Sequence, residues 1–419
     1  MRLGEFIEDF QEDESAKKRR LAKEKSYQIT EYLEDVETRV TEHLQGDTLV
    51  GSTAPEIFVG RSGYPSVSTG VLSPVGDETN AAEYATSGKW YNKELGVSEV
   101  LQRRTGLVNS RREASVDVND VWDGFVGAQR EVAIADRPVD IEIGLENRPE
   151  IDFSMDEVTT PTGPDATAQS VNLTENPRVP RPVQKTLEDD DWRAGGAMRY
   201  LYRRGFDVYE INNILSAGAL GRGDQRRLVP TRWSITAVDD QIGGFLRGQI
   251  YNTTAIDQVE VWYNEYMGNR FWIILGPGQW EFELVELKAP NSVWNPEGSQ
   301  HLLMADSEGY EGRQSYVDET SGAYYAARLG VLEHLTDRDR QATCLVLREV
   351  TDEYWAPVGV WPIREAVRNA FAENQPAIAE SFQSAVSTVL DQLPVSNQRL
   401  YRKSTLASGQ QTQLSAFDS

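Results

Sequence analysis

The run Arg270-Phe271-Trp272-Ile273-Ile274-Leu275, followed by Gly276-Pro277-Gly278 and then Trp280-Glu281-Phe282-Glu283-Leu284, sets two apolar segments on either side of a Gly-Pro-Gly turn. Aromatic and β-branched residues suit a pleated surface, so the pair reads as a β-hairpin. The alternation changes phase at Val285, which predicts a bulge near Lys288. Outward from it, Val259-Glu260-Val261-Trp262-Tyr263 and Thr343-Cys344-Leu345-Val346-Leu347 add further strands. Cys344 lies inside the second of these as a core thiol, and as the only cysteine it excludes an internal disulfide and a cysteine-based zinc site.

Upstream, alternation in Ala114-Ser115-Val116-Asp117-Val118 and Val139-Asp140-Ile141-Glu142-Ile143 marks half-buried strands. Ser234-Ile235-Thr236-Ala237-Val238 reads as a strand ending in Asp239 and Asp240. Helical spacing is found at 192–204, 208–215, 323–335, 362–371 and 377–393. In the last of these, Ile378, Phe382, Val386, Val389 and Leu393 form one stripe. Pro-rich residues 155–188 read as a long extended segment with little core of its own. The class is α+β: a strand-rich N-terminal domain with inserted helices, a smaller α/β C-terminal domain and a flexible C-terminal tail. The expected divisions are a charged helical segment 1–48, domains 49–297 and 298–395, and a Ser- and Gln-rich tether 396–419.

At 419 residues and 39% hydrophobic composition the chain supports two packed cores. Its net charge of -24 would argue against a nucleic-acid partner at low salt. With 9 lysines against 33 arginines, however, the surface is that of a protein from a high-salt cytoplasm. There the Debye length falls to ~3 Å at 1 M salt, so remote charge hardly repels DNA and close arginine contacts with aromatic stacking carry recognition. No run of 18 apolar residues exists and the N-terminus is acidic, which points to the cytoplasm and away from a membrane. His43, His301 and His334 show no metal spacing, and no cofactor is expected.

Several groups have candidate chemistry. Lys17, Lys18, Arg19 and Arg20 begin a basic helix, either a phosphate-contacting surface or a solvated face. Ile57-Phe58-Val59-Gly60-Arg61-Ser62-Gly63-Tyr64-Pro65 is a strand breaking into a loop where backbone amides and Arg61 can approach a ligand. Arg103, Arg104, Arg111 and Arg112 bracket a short loop and could clamp a phosphate or pair with carboxylates. Arg232 is a further phosphate candidate. Asp239 and Asp240 are either metal ligands or an arginine-paired strand end.

At the C-terminus, Gln411, Leu414 and Phe417 stand three apart, so the two apolar side chains can form one plug on a short turn. The spacing resembles the sliding-clamp (PCNA) binding motif, with Asp418 where a second aromatic is usual. The run 228–240, with 57–65 upstream and Tyr354-Trp355-Ala356-Pro357-Val358-Gly359-Val360-Trp361-Pro362 downstream, resembles the archaeal Nre family. That resemblance implies a DNA repair protein in two parts, recruited to DNA by the clamp. Many members begin with a Cys-rich segment that this chain lacks. The expected function is therefore repair, with the body handling DNA or a repair intermediate. The alternatives are a metal-dependent nuclease or phosphoesterase, and a nucleotide sensor using the loop 60–65.

Overall fold

The computed structural model describes residues 36–409, apart from 37, 75, 119–123 and 151–162. The basic residues Lys17, Lys18, Arg19 and Arg20 and the tail residues Gln411, Leu414 and Phe417 lie outside the described residues. The fold is α+β, built on two sheets. The first contains β1 (Leu44–Gln45), β2 (Thr48–Ser52), β3 (Ile57–Val59), β4 (Ser66–Ser73), β5 (Val108–Ser115), β6 (Asp140–Leu145) and β7 (Asp165–Leu173), ordered β1-β2-β6-β7-β5-β4-β3. All neighbours are antiparallel except β5 and β7. Inward residues such as Ile141, Ile143 and Leu145 pack beneath the helix Gly124–Ile134.

The helices are α1 (Lys89–Asn92), α2 (Val97–Thr105), α3 (Gly124–Ile134), α4 (Arg181–Glu188), α5 (Ala194–Arg203), α6 (Val208–Ser216), α7 (Thr231–Ile250), α8 (Gly322–Asp337), α9 (Trp361–Glu373), α10 (Phe382–Leu390), α11 (Asn397–Lys403) and α12 (Thr405–Ser408). Of the segment expected to run extended over 155–188, residues 155–162 lie outside the described residues and the remainder supplies the central strand β7 and the helix α4. Ala166, Ala168 and Val171 carry the inward face of β7, and two alanines give too little apolar signal to be seen in sequence.

The second sheet runs β11-β10-β12-β9-β8-β13, with β8 (Val259–Tyr266), β9 (Asn269–Gly276), β10 (Glu281–Lys288), β11 (Leu302–Glu308), β12 (Thr343–Val350) and β13 (Ala377–Ala379). The Gly-Pro-Gly turn does reverse the chain, but β9 and β10 are not paired. β12 lies between them, antiparallel to β9 and parallel to β10. The connection crosses the entry of β12, where the Thr343 hydroxyl donates to the Gln279 carbonyl at 3.2 Å. The expected bulge is absent as well: β10 keeps one register over its whole length. Its phase only looks shifted because both faces are buried, Phe282 and Leu284 under α7 and α8, Val285 and Leu287 under α10 to α12.

Three other expectations change. Residues 234–238 lie within α7, whose buried stripe is Ser234, Val238, Ile242, Leu246 and Ile250, a helical period of four that becomes visible only past Asp240. Ile378 is on the edge strand β13 and exposed, and Ser381 caps α10, so the last helix starts at Phe382. Residues 397–408, expected as tether, form α11 and α12 on the sheet. The buried Glu283 carboxylate accepts from the Ser404 hydroxyl at 2.7 Å and from the Thr405 and Leu406 amides at 2.9 Å.

His334, on α8, stacks on Phe371 at 3.9 Å and meets Trp262 edge-on at 5.3 Å. Burial depresses its imidazole from 6.5 to about 4, with Arg338 adding to the effect. Between these values the unfolded chain binds a proton that the folded chain refuses, so stability falls as pH drops through that window. Relative to wild type, His334→Phe should lessen the loss between pH 7 and pH 4.5 by about 2 kcal/mol, read from urea midpoints at the two pH values.

Candidate anion-binding cleft

A cavity of 1190 Å³ opens between the two sheets. Residues from 57–61, 230–240 and 354–364, distant in sequence, all line it. The chain as a whole has 42 Lys and Arg against 66 Asp and Glu. The lining reverses that balance, with seven (Arg61, Arg104, Arg111, Arg232, Lys288, Arg348, Arg364) against six (Glu56, Asp165, Asp239, Asp240, Glu286, Glu319).

Each of the six carboxylates is answered by a cation. Glu56 pairs with Arg104 at 3.3 Å, Asp165 with Arg111 at 3.3 Å and Glu319 with Lys403 at 2.6 Å. Glu286 holds Arg348, which also reaches the Asn269 side-chain oxygen at 2.6 Å. Asp239 and Asp240 follow one another on a helix, so they diverge: Asp239 takes Arg364 at 2.7 and 2.5 Å, and Asp240 faces Arg328 at 3.4 Å. Burial pushes the Asp239 carboxyl up against the pull of Arg364, and raises Asp240 against Arg328. No group of three His, Cys, Asp or Glu among the described residues is placed to hold a metal ion. Arg61 and Lys288 make no ion pair with a described residue.

Three helices begin at this cavity. Pro230 precedes α7, Ser321 precedes α8 and Val360 precedes α9. None of the three has a side-chain cap or an acidic residue in its first turn. Elsewhere in the chain, α2 and α6 carry Glu99 and Glu210 in their first turns, whose carboxylates accept from the Gly96 and Asp207 amides at 3.0 and 2.8 Å. Uncapped N-terminal amides and the helix dipole favour an anion. The entry to α8 is built by Asp306, whose carboxylate accepts from the amides of Asp318, Glu319 and Thr320 at 3.0, 3.0 and 2.7 Å. Burial opposes its charge, but these amides outweigh the burial and hold the carboxyl below the ordinary aspartate range. Ser321 then takes φ 50°, ψ -136°, a conformation that costs a non-glycine residue roughly 1–3 kcal/mol. A Cβ on Gly322 would come within 2.9 Å of Val360, so the starts of α8 and α9 touch.

The mouth is aromatic. Trp233 and Tyr64 are 47% and 50% exposed with ring centroids 5.6 Å apart, and Tyr316, 55% exposed, leans on Tyr325 at 5.3 Å. The β3 edge is fixed to α7 where the Val59 amide donates to the Thr231 hydroxyl at 2.9 Å.

Of the arginines singled out in the sequence, Arg61, Arg104, Arg111 and Arg232 line the cavity. Arg103 turns away to Glu83 at 3.5 Å, and Arg112 donates to the Gln169 carbonyl at 3.3 Å. Sequence reasoning missed Lys288, Arg348, Arg364 and the turn at Ser321. Only Trp361-Pro362, a proline in a first helical turn, gave a local signal. Asp239→Asn leaves the buried Arg364 charge unanswered and should lower stability by about 3 kcal/mol. Denaturant unfolding measures this, and adding Arg364→Met should recover part of the loss.

The model described as "Archaeal Nre, N-terminal" matches residues 21–295, and "Archaeal Nre, C-terminal" matches 308–417. The six-stranded sheet takes strands from both stretches. The chain is 60% identical over 421 residues to "DNA repair protein NreA" of Haloferax volcanii, covering 100% of each chain. It is 38% identical over 340 residues to "DNA repair protein NreA" of Archaeoglobus fulgidus, covering 81% of this chain and 84% of that one. To "DNA repair protein NreB" of the same organism it is 37% identical over 325 residues, covering 77% and 80%. No solved structure matches.

Proposed function

The chain belongs to the archaeal Nre family, and on that premise we propose that it is a cytoplasmic DNA repair protein that engages DNA at the cleft and reaches the sliding clamp (PCNA) through its tail. The repair role follows the names its relatives carry. The observation that carries the DNA-contacting role is the charge reversal: seven cationic to six acidic side chains line the cleft, in a chain with 42 and 66. Arg61, Arg104, Arg111 and Arg232 supply guanidinium groups for phosphates, and Tyr64, Trp233 and Tyr316 supply faces for unstacked bases. In concentrated salt such short-range contacts persist after long-range attraction is screened.

Recruitment rests on Gln411, Leu414 and Phe417, with Gly409 the last described residue. The preceding helix α12 is held to the sheet by Glu283. Tethering the body to a clamp already on DNA raises its effective concentration there. We count Lys17, Lys18, Arg19 and Arg20 as additional backbone contacts.

Phe417→Ala, or truncation after Gly409, should abolish co-purification with the clamp while leaving the melting temperature unchanged. Full retention of the clamp by the truncated protein would exclude the tail as the recruiting element. Trp233→Ala should weaken single-stranded DNA binding about tenfold, measured by anisotropy in molar salt.

A further inference from the structure

Within the cleft the starts of α8 and α9 meet beside α7. The Thr236 hydroxyl lies 3.8 Å from where a Gly322 side chain would begin, and Val360 closes the other side. Two uncapped helix N-termini with no acid in their first turns therefore face one small space. An independent observation points to a ligand there. Arg364 is 2% exposed and lines the cavity, one guanidinium nitrogen (Nη2) is held by Asp239, and its Nε has no hydrogen-bond partner. Trp361, also 2% exposed and lining the cavity, has an indole N–H without an acceptor. Buried donors left unpaired are costly, so two of them beside two open helix ends describe a site shaped for an acceptor-rich anion.

We propose that this site binds the phosphomonoester of a nucleotide, with its sugar and base in the cleft. A phosphomonoester is dianionic near neutral pH and offers three acceptor oxygens. That matches donors arriving from α8, from α9 and from the Arg364 and Trp361 side chains. A diester inside a continuous strand has fewer free oxygens and carries a single negative charge. Trp233, one helical turn before Thr236 on α7 and 47% exposed, gives a base a ring to stack on. The inference deepens the reading of the cleft as the DNA-contacting face and rests on it for the nucleotide, but not for the phosphate. The shared chemistry has two sources, a free nucleoside monophosphate or the phosphorylated end of a DNA strand.

The full chain in molar potassium chloride is titrated with deoxyadenosine monophosphate, followed by tryptophan fluorescence. It is also titrated with one labelled single-stranded oligonucleotide carrying a 5′-phosphate, a 3′-phosphate or hydroxyl ends, followed by anisotropy. Saturable quenching by the monophosphate that inorganic phosphate reverses, together with at least tenfold tighter binding of one phosphorylated oligonucleotide, supports the site with a strand end as its ligand. Quenching with no difference among the oligonucleotides supports it with a free nucleotide as ligand. Thr236→Glu places a carboxylate in the site and should remove the phosphate dependence at unchanged melting temperature. Competition by inorganic phosphate on the wild-type protein gives the same test without a variant. Absence of quenching, with all three oligonucleotides bound equally, overturns the inference. If that binding is still weakened by Trp233→Ala, the reading of the cleft as the DNA face survives.

Discussion

Asp239 and Arg364 meet almost completely buried, an aspartate from the middle of α7 against an arginine from the first turn of α9. Isolated charges could not remain there, and burial alone would neutralise the aspartate. Tyr209 closes the pair, with the guanidinium 4.9 Å from its ring, and its hydroxyl donates to Glu365 at 2.7 Å. The pair fixes how far α9 can slide along α7, and the start of α9 in turn positions the start of α8 through Val360 and Gly322. Two open helix ends thus face one space because a buried carboxylate on α7 holds the first turn of α9 in place.

The same constraint explains why an acidic protein has a cleft lined this way. The six carboxylates of the cleft each face an arginine or lysine, while Arg61 and Lys288 keep no ion pair with a described residue. Such an arrangement suits concentrated salt, where an interaction survives only if its partners are in contact. The aromatic mouth adds an attraction that salt does not screen.

Much of the strand and helix content was legible, because alternation in 139–143 and helical spacing in 208–215 and 323–335 are local properties. Pairing was not. The Gly-Pro-Gly turn predicts a reversal, and nothing in residues 270–284 announces that Thr343–Val350 will enter between the two arms. The α7 start reads as a strand because five residues of β-branched and small side chains stand together, whereas its buried stripe needs 17 residues, Ser234 to Ile250, to show its period. For the site, the sequence supplied Arg61, Arg104, Arg111 and Arg232 as candidates among many arginines. It could not separate them from Arg103 and Arg112, since the difference lies only in which side of α2 and β5 faces the cavity. The open ends of α8 and α9 were invisible because an uncapped helix start is defined by what is missing beside it.

Three distant stretches of chain line one cleft, which we propose is a single surface for nucleic acid. This is tested most directly by photocrosslinking single-stranded DNA that carries 5-iododeoxyuridine to the full-length protein, and mapping the crosslinked peptides by mass spectrometry. Adducts are expected on the exposed Trp233, Tyr64 or Tyr316. Adducts confined to another face, such as Trp192 and Tyr200 beside Lys185, would contradict it.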